Sequence, residues 1–154
     1  GYTCENNVVV NVGGYGILQC GQTQRITVRN NVFAFCGQGG ICRASPGGAV
    51  ARNIVLLQDS RTMLDRIPES EALNIDRNLY WHSPSRGSAA RFDGKDLAAW
   101  QERGLDTHGL IADPLFVDPE KGNFTLLPDS PALALGFQPV DMVAPGRYGD
   151  SDWM

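Results

Sequence analysis

ENNVVVNVGGYGILQC spans residues 5–20, and RNNVFAFCGQGGICRA spans residues 29–44. Both run through Asn-Asn-Val, a glycine-rich turn, and then Gly-Ile. The same asparagine returns before two further apolar runs. Asn7 precedes Val8-Val9-Val10, Asn31 precedes Val32-Phe33-Ala34, Asn53 precedes Ile54-Val55-Leu56, and Asn78 precedes Leu79-Tyr80-Trp81, at spacings of 24, 22 and 25 residues. A second β-like run lies upstream of the later asparagines: Ile26-Thr27-Val28, Ala49-Val50-Ala51 and Leu73-Asn74-Ile75. A third lies between repeats: Gly16-Ile17-Leu18-Gln19, Gly40-Ile41-Cys42-Arg43 and Thr62-Met63-Leu64-Asp65.

Three short strands in each such interval predict a three-sided parallel β-solenoid. One coil cannot bury its apolar face alone. Stacked about 4.8 Å apart, the coils pair strand on strand and build one continuous core. Asparagine tolerates the left-handed conformation and bonds to backbone at tight corners, so the recurring residue is expected at a corner, bonded from coil to coil. A β-sandwich also shows frequent turns, but it does not explain three landmarks recurring in one order.

The repeat fades from Ser83. The expected organisation is coils over residues 1–83 and a C-terminal cap over 84–154. A helix is predicted from Phe92 to Gly104, with Asp93 as N-cap, Asp96 at its positive end, and Leu97 and Trp100 on one face. Short strands are expected at Leu115-Phe116-Val117 and Asn123–Leu127, and Ser130-Pro131 reads as a helix start. The last coil of a solenoid is an open edge that must be covered.

Composition narrows the function. The chain has 154 residues, 42% hydrophobic and 19% charged, with 18 glycines and a formal charge of −4. Seventeen acids against 13 bases leave no basic footprint for nucleic acid. No apolar run reaches the ~20 residues of a membrane helix. No signal peptide is visible, and the chain opens inside its own repeat, which reads as a fragment, a processed chain or a trimmed one. Self-association through that open first coil is a further expectation. Cys4, Cys20, Cys36 and Cys42 lack zinc-site spacing. Buried free thiols and a Cys20–Cys42 disulfide both fit their positions. No metal or cofactor is expected. Asp113, Asp118 and Asp129 read as turn-capping residues, and the glycine clusters at 13–16 and 37–40 as corners rather than phosphate loops.

Beyond these readings, the NN-V and GI coil pattern resembles right-handed parallel β-helix proteins of the pectate-lyase-like superfamily. The stretch FDGKDLAAWQERGLDTHGLIADPLFVDPEKGNFTLLPDSPALALGFQPVD, residues 92–141, resembles the C-terminal region of large bacterial β-helix proteins that act on carbohydrates, many of them glycoside hydrolases, and RYGDSDW at 147–153 resembles a family ending. Family members are several times longer, so much of the usual substrate groove is expected to be missing or supplied by another polypeptide. The resemblance implies a glycoside hydrolase or polysaccharide lyase, extracellular or in the cell envelope in its parent form, with a carbohydrate partner. A non-catalytic carbohydrate-binding or structural solenoid is the alternative.

Hydrolysis of a glycoside needs two carboxylates at a set separation. A lyase needs a base and a cation facing the substrate carboxylate. Gln19, Arg43 and Asp65 align as strand ends, with Arg66 adjacent. Asp59, Asp65 and Arg43 are the catalytic candidates; Gln19, Arg66, Tyr80 and His82 are the substrate-binding candidates. A solvated salt-bridge ladder between coils is the plainer account of the charged ones. Tyr15, Phe33, Phe35, Tyr80 and Trp81 are candidate stacking platforms. Strand alternation turns one of Tyr80 and Trp81 inward, so at most one of that pair serves. Trp100 reads as core and His108 as a cap hydrogen-bonder.

Overall fold

A computed structural model describes residues 1–19, 25–58, 62–68, 73–82 and 90–142. The first coil holds β1 (Tyr2–Glu5), β2 (Val8–Val10) and β3 (Tyr15–Leu18). The second holds β4 (Ile26–Arg29), β5 (Val32–Ala34) and β6 (Gly39–Cys42), and the third β7 (Ala49–Ala51), β8 (Ile54–Leu57) and β9 (Thr62–Asp65). β10 (Asn74–Asp76), β11 (Leu79–His82), β12 (Arg91–Phe92) and β13 (Leu110–Ile111) follow. Three parallel sheets result, ordered β1-β4-β7-β10, β13-β11-β8-β5-β2 and β12-β9-β6-β3. The fold is a parallel β-solenoid of about three turns. The solenoid sheets continue past residue 83, because β12 pairs with β9 and β13 with β11.

The recurring asparagines stack. Asn7 Nδ2 donates to Asn31 Oδ1, Asn31 Nδ2 to Asn53 Oδ1, and Asn53 Nδ2 to Asn78 Oδ1, each at 3.0 Å. Each acceptor oxygen also takes the backbone N–H of the preceding asparagine. The side chains bond as expected, but the left-handed residue is the one before: Asn6, Asn30, Arg52 and Arg77, with φ of 53–60°. The corner conformation and the ladder are therefore divided between two adjacent positions.

The inner core takes Val9, Phe33, Val55 and Tyr80 from the second sheet, Val28, Val50 and Ile75 from the first, and Ile41, Met63 and Leu64 from the third. Cys4, Cys36 and Cys42 are free thiols; Cys20 lies outside the described residues.

The C-terminal region closes this core and also covers a face. The helix is α1 (Leu97–Gln101), shorter than expected, and its N-cap is Asp96, which accepts the Ala99 N–H at 2.9 Å. Asp93 and Gly94 instead adopt positive φ in a turn, with Phe92 bridged to Lys95. Phe92 stacks on Trp100 and meets Tyr80 edge-on, plugging the open core. β14 (Phe116–Asp118) and β15 (Asn123–Leu126) pair antiparallel, and α2 (Pro131–Ala134) follows with Ser130 as N-cap. Phe116, Phe124, Ala132 and Phe137 from this part pack on Val32, Ala34, Ile54, Leu56 and Leu79, the outward row of the second sheet. A reciprocal pair fastens the end: Gln138 N–H donates to Asn30 Oδ1 at 2.7 Å, and Asn30 Nδ2 donates to Gln138 O at 2.8 Å.

Candidate functional site

The outward face of the third sheet carries the polar cluster. Tyr15, Gly39 and Thr62 share one row, and Leu18, Cys42 and Asp65 another. Gly39 makes room for the aromatic ring: a Cβ there would lie 3.0 Å from Tyr15 Cε1 and 2.6 Å from Thr62 O. The Tyr15 ring therefore crosses the second coil, and its hydroxyl donates to the Asp65 carboxylate two coils away. That bond, then burial and the carboxylate's charge, push the Tyr15 phenol up to about 12. Arg66 Nε stands 3.7 Å from Asp65 Oδ2, and Asp93 Oδ1 accepts the Arg66 backbone N–H at 3.2 Å. Arg43 is exposed and forms no ion pair among the described residues. Arg43, Arg66 and Asp93 all adopt positive φ at the corner that ends this sheet.

This arrangement corrects the expected ladder by one residue. Asp65 pairs with Cys42, not Arg43, and Arg43 N–H bonds to Asp65 O, which places Arg66 beside Arg43. The third coil has one more residue than the second between its asparagine and this row. Met63 and Leu64 are both apolar and both fully buried, so hydrophobic alternation does not fix the register. Gln19 is no surface ligand: it is 5% exposed, and its Oε1 accepts from the Ser45 hydroxyl. Tyr80 is fully buried and donates to Asp106 Oδ2 at 2.5 Å, so it is a core residue and offers no platform to a sugar. Trp81 is the outward member of that pair and is half-buried. His82 is buried at the end of β11, opposite Leu57. Asp59 lies outside the described residues. Of the seven candidates, Asp65, Arg43 and Arg66 come together on one face.

Two further features stand apart. A pocket of about 220 Å³ opens between the second sheet and the C-terminal region, with Phe35, Trp81, Phe116, Asp113 and Glu120 in its wall. Asp106 is a fully buried carboxylate at the end of the asparagine ladder. It accepts from the Asn78 backbone N–H and Nδ2 at 3.1 Å each. Burial raises its pKa to about 6 against the lowering effect of the Tyr80 and Asn78 bonds. Sequence spacing hid Asp106, because the inserted helix stretches its interval from Asn78 to 28 residues. His108 caps as expected, its N–H and Nδ1 lying 3.0 and 3.1 Å from Asp76 Oδ1. Burial alone would raise Asp76, but the His108 bonds outweigh it and hold the carboxyl below its usual range.

Among the described residues no group of three or more His, Cys, Asp or Glu is placed to hold a metal ion, and no helix is long and apolar enough to cross a membrane. No protein-family model matches the chain, and neither the curated proteins nor the solved structures give a match.

Proposed function

We propose that this chain is the C-terminal part of a polysaccharide-acting β-helix protein of the pectate-lyase-like kind, extracellular or in the cell envelope. In this reading the described coils hold an acidic glycan on the outer face of the third sheet, and the bond-breaking residues are not completed there. The observation that carries it is the exposed guanidinium pair of Arg43 and Arg66 on adjacent coils, beside Tyr15 and Asp65. Planar guanidinium forks match carboxylates bidentately, so successive coils offer charge partners to a polymer bearing uronate groups. The carboxylates on this face are already engaged: Asp65 by Tyr15 and Arg66, and Asp93 by the Arg66 backbone. Neither stands ready as the free acid and base that hydrolysis requires. The resemblance of residues 92–141 supplies the class of polymer.

The test is affinity electrophoresis and calorimetry against acidic and neutral polysaccharides. Retention by a polyuronate, lost in the Arg43→Ala/Arg66→Ala variant and weakened by salt, is the expected result. Equal retention by that variant, or none by the parent chain, would sink the reading. Release of reducing ends or of an unsaturated product, abolished by Asp65→Asn, would move this face from binding to catalysis.

A further inference from the structure

The pocket between the second sheet and the C-terminal region has a different chemistry from the arginine face. It is lined by the aromatic residues Phe35, Trp81 and Phe116 together with two acidic residues, Asp113 and Glu120. Asp113 spends Oδ1 on the Leu115 N–H at 2.8 Å; its other oxygen has no hydrogen-bond partner among the described residues. Glu120 is exposed and forms no ion pair among them. Two unneutralised carboxylates beside aromatic rings attract cations and hydroxyl donors and repel anions. At about 220 Å³, the space falls below the ~300–1,000 Å³ of sites for drug-sized ligands, which limits the occupant to a single ring.

The backbone sets this wall apart from a seam left by chance. Phe35 has φ 56°, at the corner where the preceding coil places Asn11 at φ 55°, and Leu115, next to Pro114 and Phe116, also has φ 56°. Asparagine is at home in that conformation; a bulky apolar residue is uncommon there. Phe35 packs obliquely on Phe124, ring centres 6.5 Å apart, so the ring that fastens the C-terminal region also walls the pocket. Trp81 follows Tyr80, whose ring is locked inward by Asp106, and this fixes Trp81 outward.

We propose that this pocket is a subsite for one amino-sugar residue with a free ammonium group. The apolar face of the pyranose would lie on Trp81, and the ammonium would be held between Asp113 and Glu120. The choice of a sugar rests on the glycan reading above; the selection for positive charge rests on the pocket alone. A neutral hexose shares the stacking but forfeits the ion pairs, and a uronate meets both carboxylates.

The experiment uses the full 154-residue chain. Glucosamine, glucose, glucuronate and tetramethylammonium are titrated by saturation-transfer NMR and tryptophan fluorescence. Saturable glucosamine binding is expected, tighter than glucose, with glucuronate not binding. Glu120→Gln lies on the exposed rim and should weaken glucosamine about fivefold, the scale of one exposed ion pair. Trp81→Ala should abolish binding, and Trp81→Phe should restore part of it. No saturable glucosamine binding, equal binding of glucuronate, or indifference to both Glu120→Gln and Trp81→Ala would overturn the proposal. Tetramethylammonium binding as tightly as glucosamine would overturn the sugar assignment. Polyuronate retention that disappears with Arg43 and Arg66, in a chain that binds no glucosamine, would leave the third-sheet reading standing while the pocket fails. Loss of both in the parent chain would fell both.

Discussion

Asp106 gives the sharpest test of how this solenoid ends. Each asparagine in the stack donates toward the next coil, so the last member must accept without passing a side-chain hydrogen bond on. Asp106 does so, taking two bonds from Asn78 and one from Tyr80. Burial raises its pKa from 3.8 to about 6. The folded chain thus keeps this proton to higher pH than the unfolded chain. The stabilisation is fully present below 3.8 and is lost as pH rises through 6. A shift of about two units corresponds to ~3 kcal/mol at 1.36 kcal/mol per unit. Asp106→Asn removes the titration, and its Oδ1 can take both Asn78 bonds, as in every earlier rung. The prediction concerns the difference in unfolding free energy between variant and parent, measured by urea denaturation at pH 3.5, 5 and 7. It should move in favour of Asp106→Asn by ~3 kcal/mol across that range, because only the parent loses stability at this site. Other carboxylates titrate in both chains and cancel. A difference that stays flat, or moves the other way, would refute both the buried charge and the terminal-acceptor role.

Three further outcomes follow from the same geometry. Asn53→Ala leaves the Asn31 backbone N–H without its acceptor, while the Asn31 amide keeps the Cys4 and Arg29 carbonyls, so at ~1–3 kcal/mol for one stranded buried group it should destabilise by about that much in urea. Gly39→Val should push the Tyr15 ring off the third sheet and break its bond to Asp65, returning the phenol from about 12 toward its ordinary 10 in a tyrosine NMR titration; an unmoved phenol counts against the ring lying over Gly39. Burial pushes the Cys36 thiol up to about 11, so alkylation of the folded chain at pH 8 should leave Cys36 unmodified by peptide mass spectrometry until urea is added.

What the sequence disclosed tracks which interactions must recur in every coil. Asn7, Asn31, Asn53 and Asn78 were legible because a coil-to-coil hydrogen bond demands the same side chain each time. The left-handed corner beside them was not, because any residue that tolerates the strain suffices, and two of the four are arginines. The third-sheet register was lost at Met63 and Leu64, where two buried apolar neighbours erase the alternation. The orientation of Tyr80 was decidable: the second position after each asparagine is Val9, Phe33, Val55 and Tyr80, one inward row. The flanking row carried a signal too. Val8, Val32, Ile54 and Leu79 are apolar although they point away from that core, the pattern of a strand buried on both faces. This marks the second sheet as the one the C-terminal region covers. Helix α1 was misjudged at its start because Asp93 and Asp96 are both competent caps. Only the turn at Asp93-Gly94 assigns the role to Asp96.

The C-terminal region solves three end problems with separate parts, and this division determines where a ligand can sit. Trp100 and Phe92 fill the exposed end of the core. Asp106 terminates the polar ladder. The Phe116–Phe124 pair and α2 cover the second sheet, held by the Asn30–Gln138 bonds. None of these parts needs the side chains of Arg43, Arg66 or Glu120, and what the cover takes from Asp113 is the oxygen that accepts the Leu115 N–H, which Asp113→Asn keeps. Exposed charges of this kind contribute little to stability, ~0–1 kcal/mol even when paired. Replacing all four should therefore leave unfolding by urea within ~1 kcal/mol of the parent while removing polyuronate and glucosamine binding together. Large destabilisation of that fourfold variant would show that the charges belong to the scaffold, and would remove the argument that two faces of this solenoid are reserved for ligands.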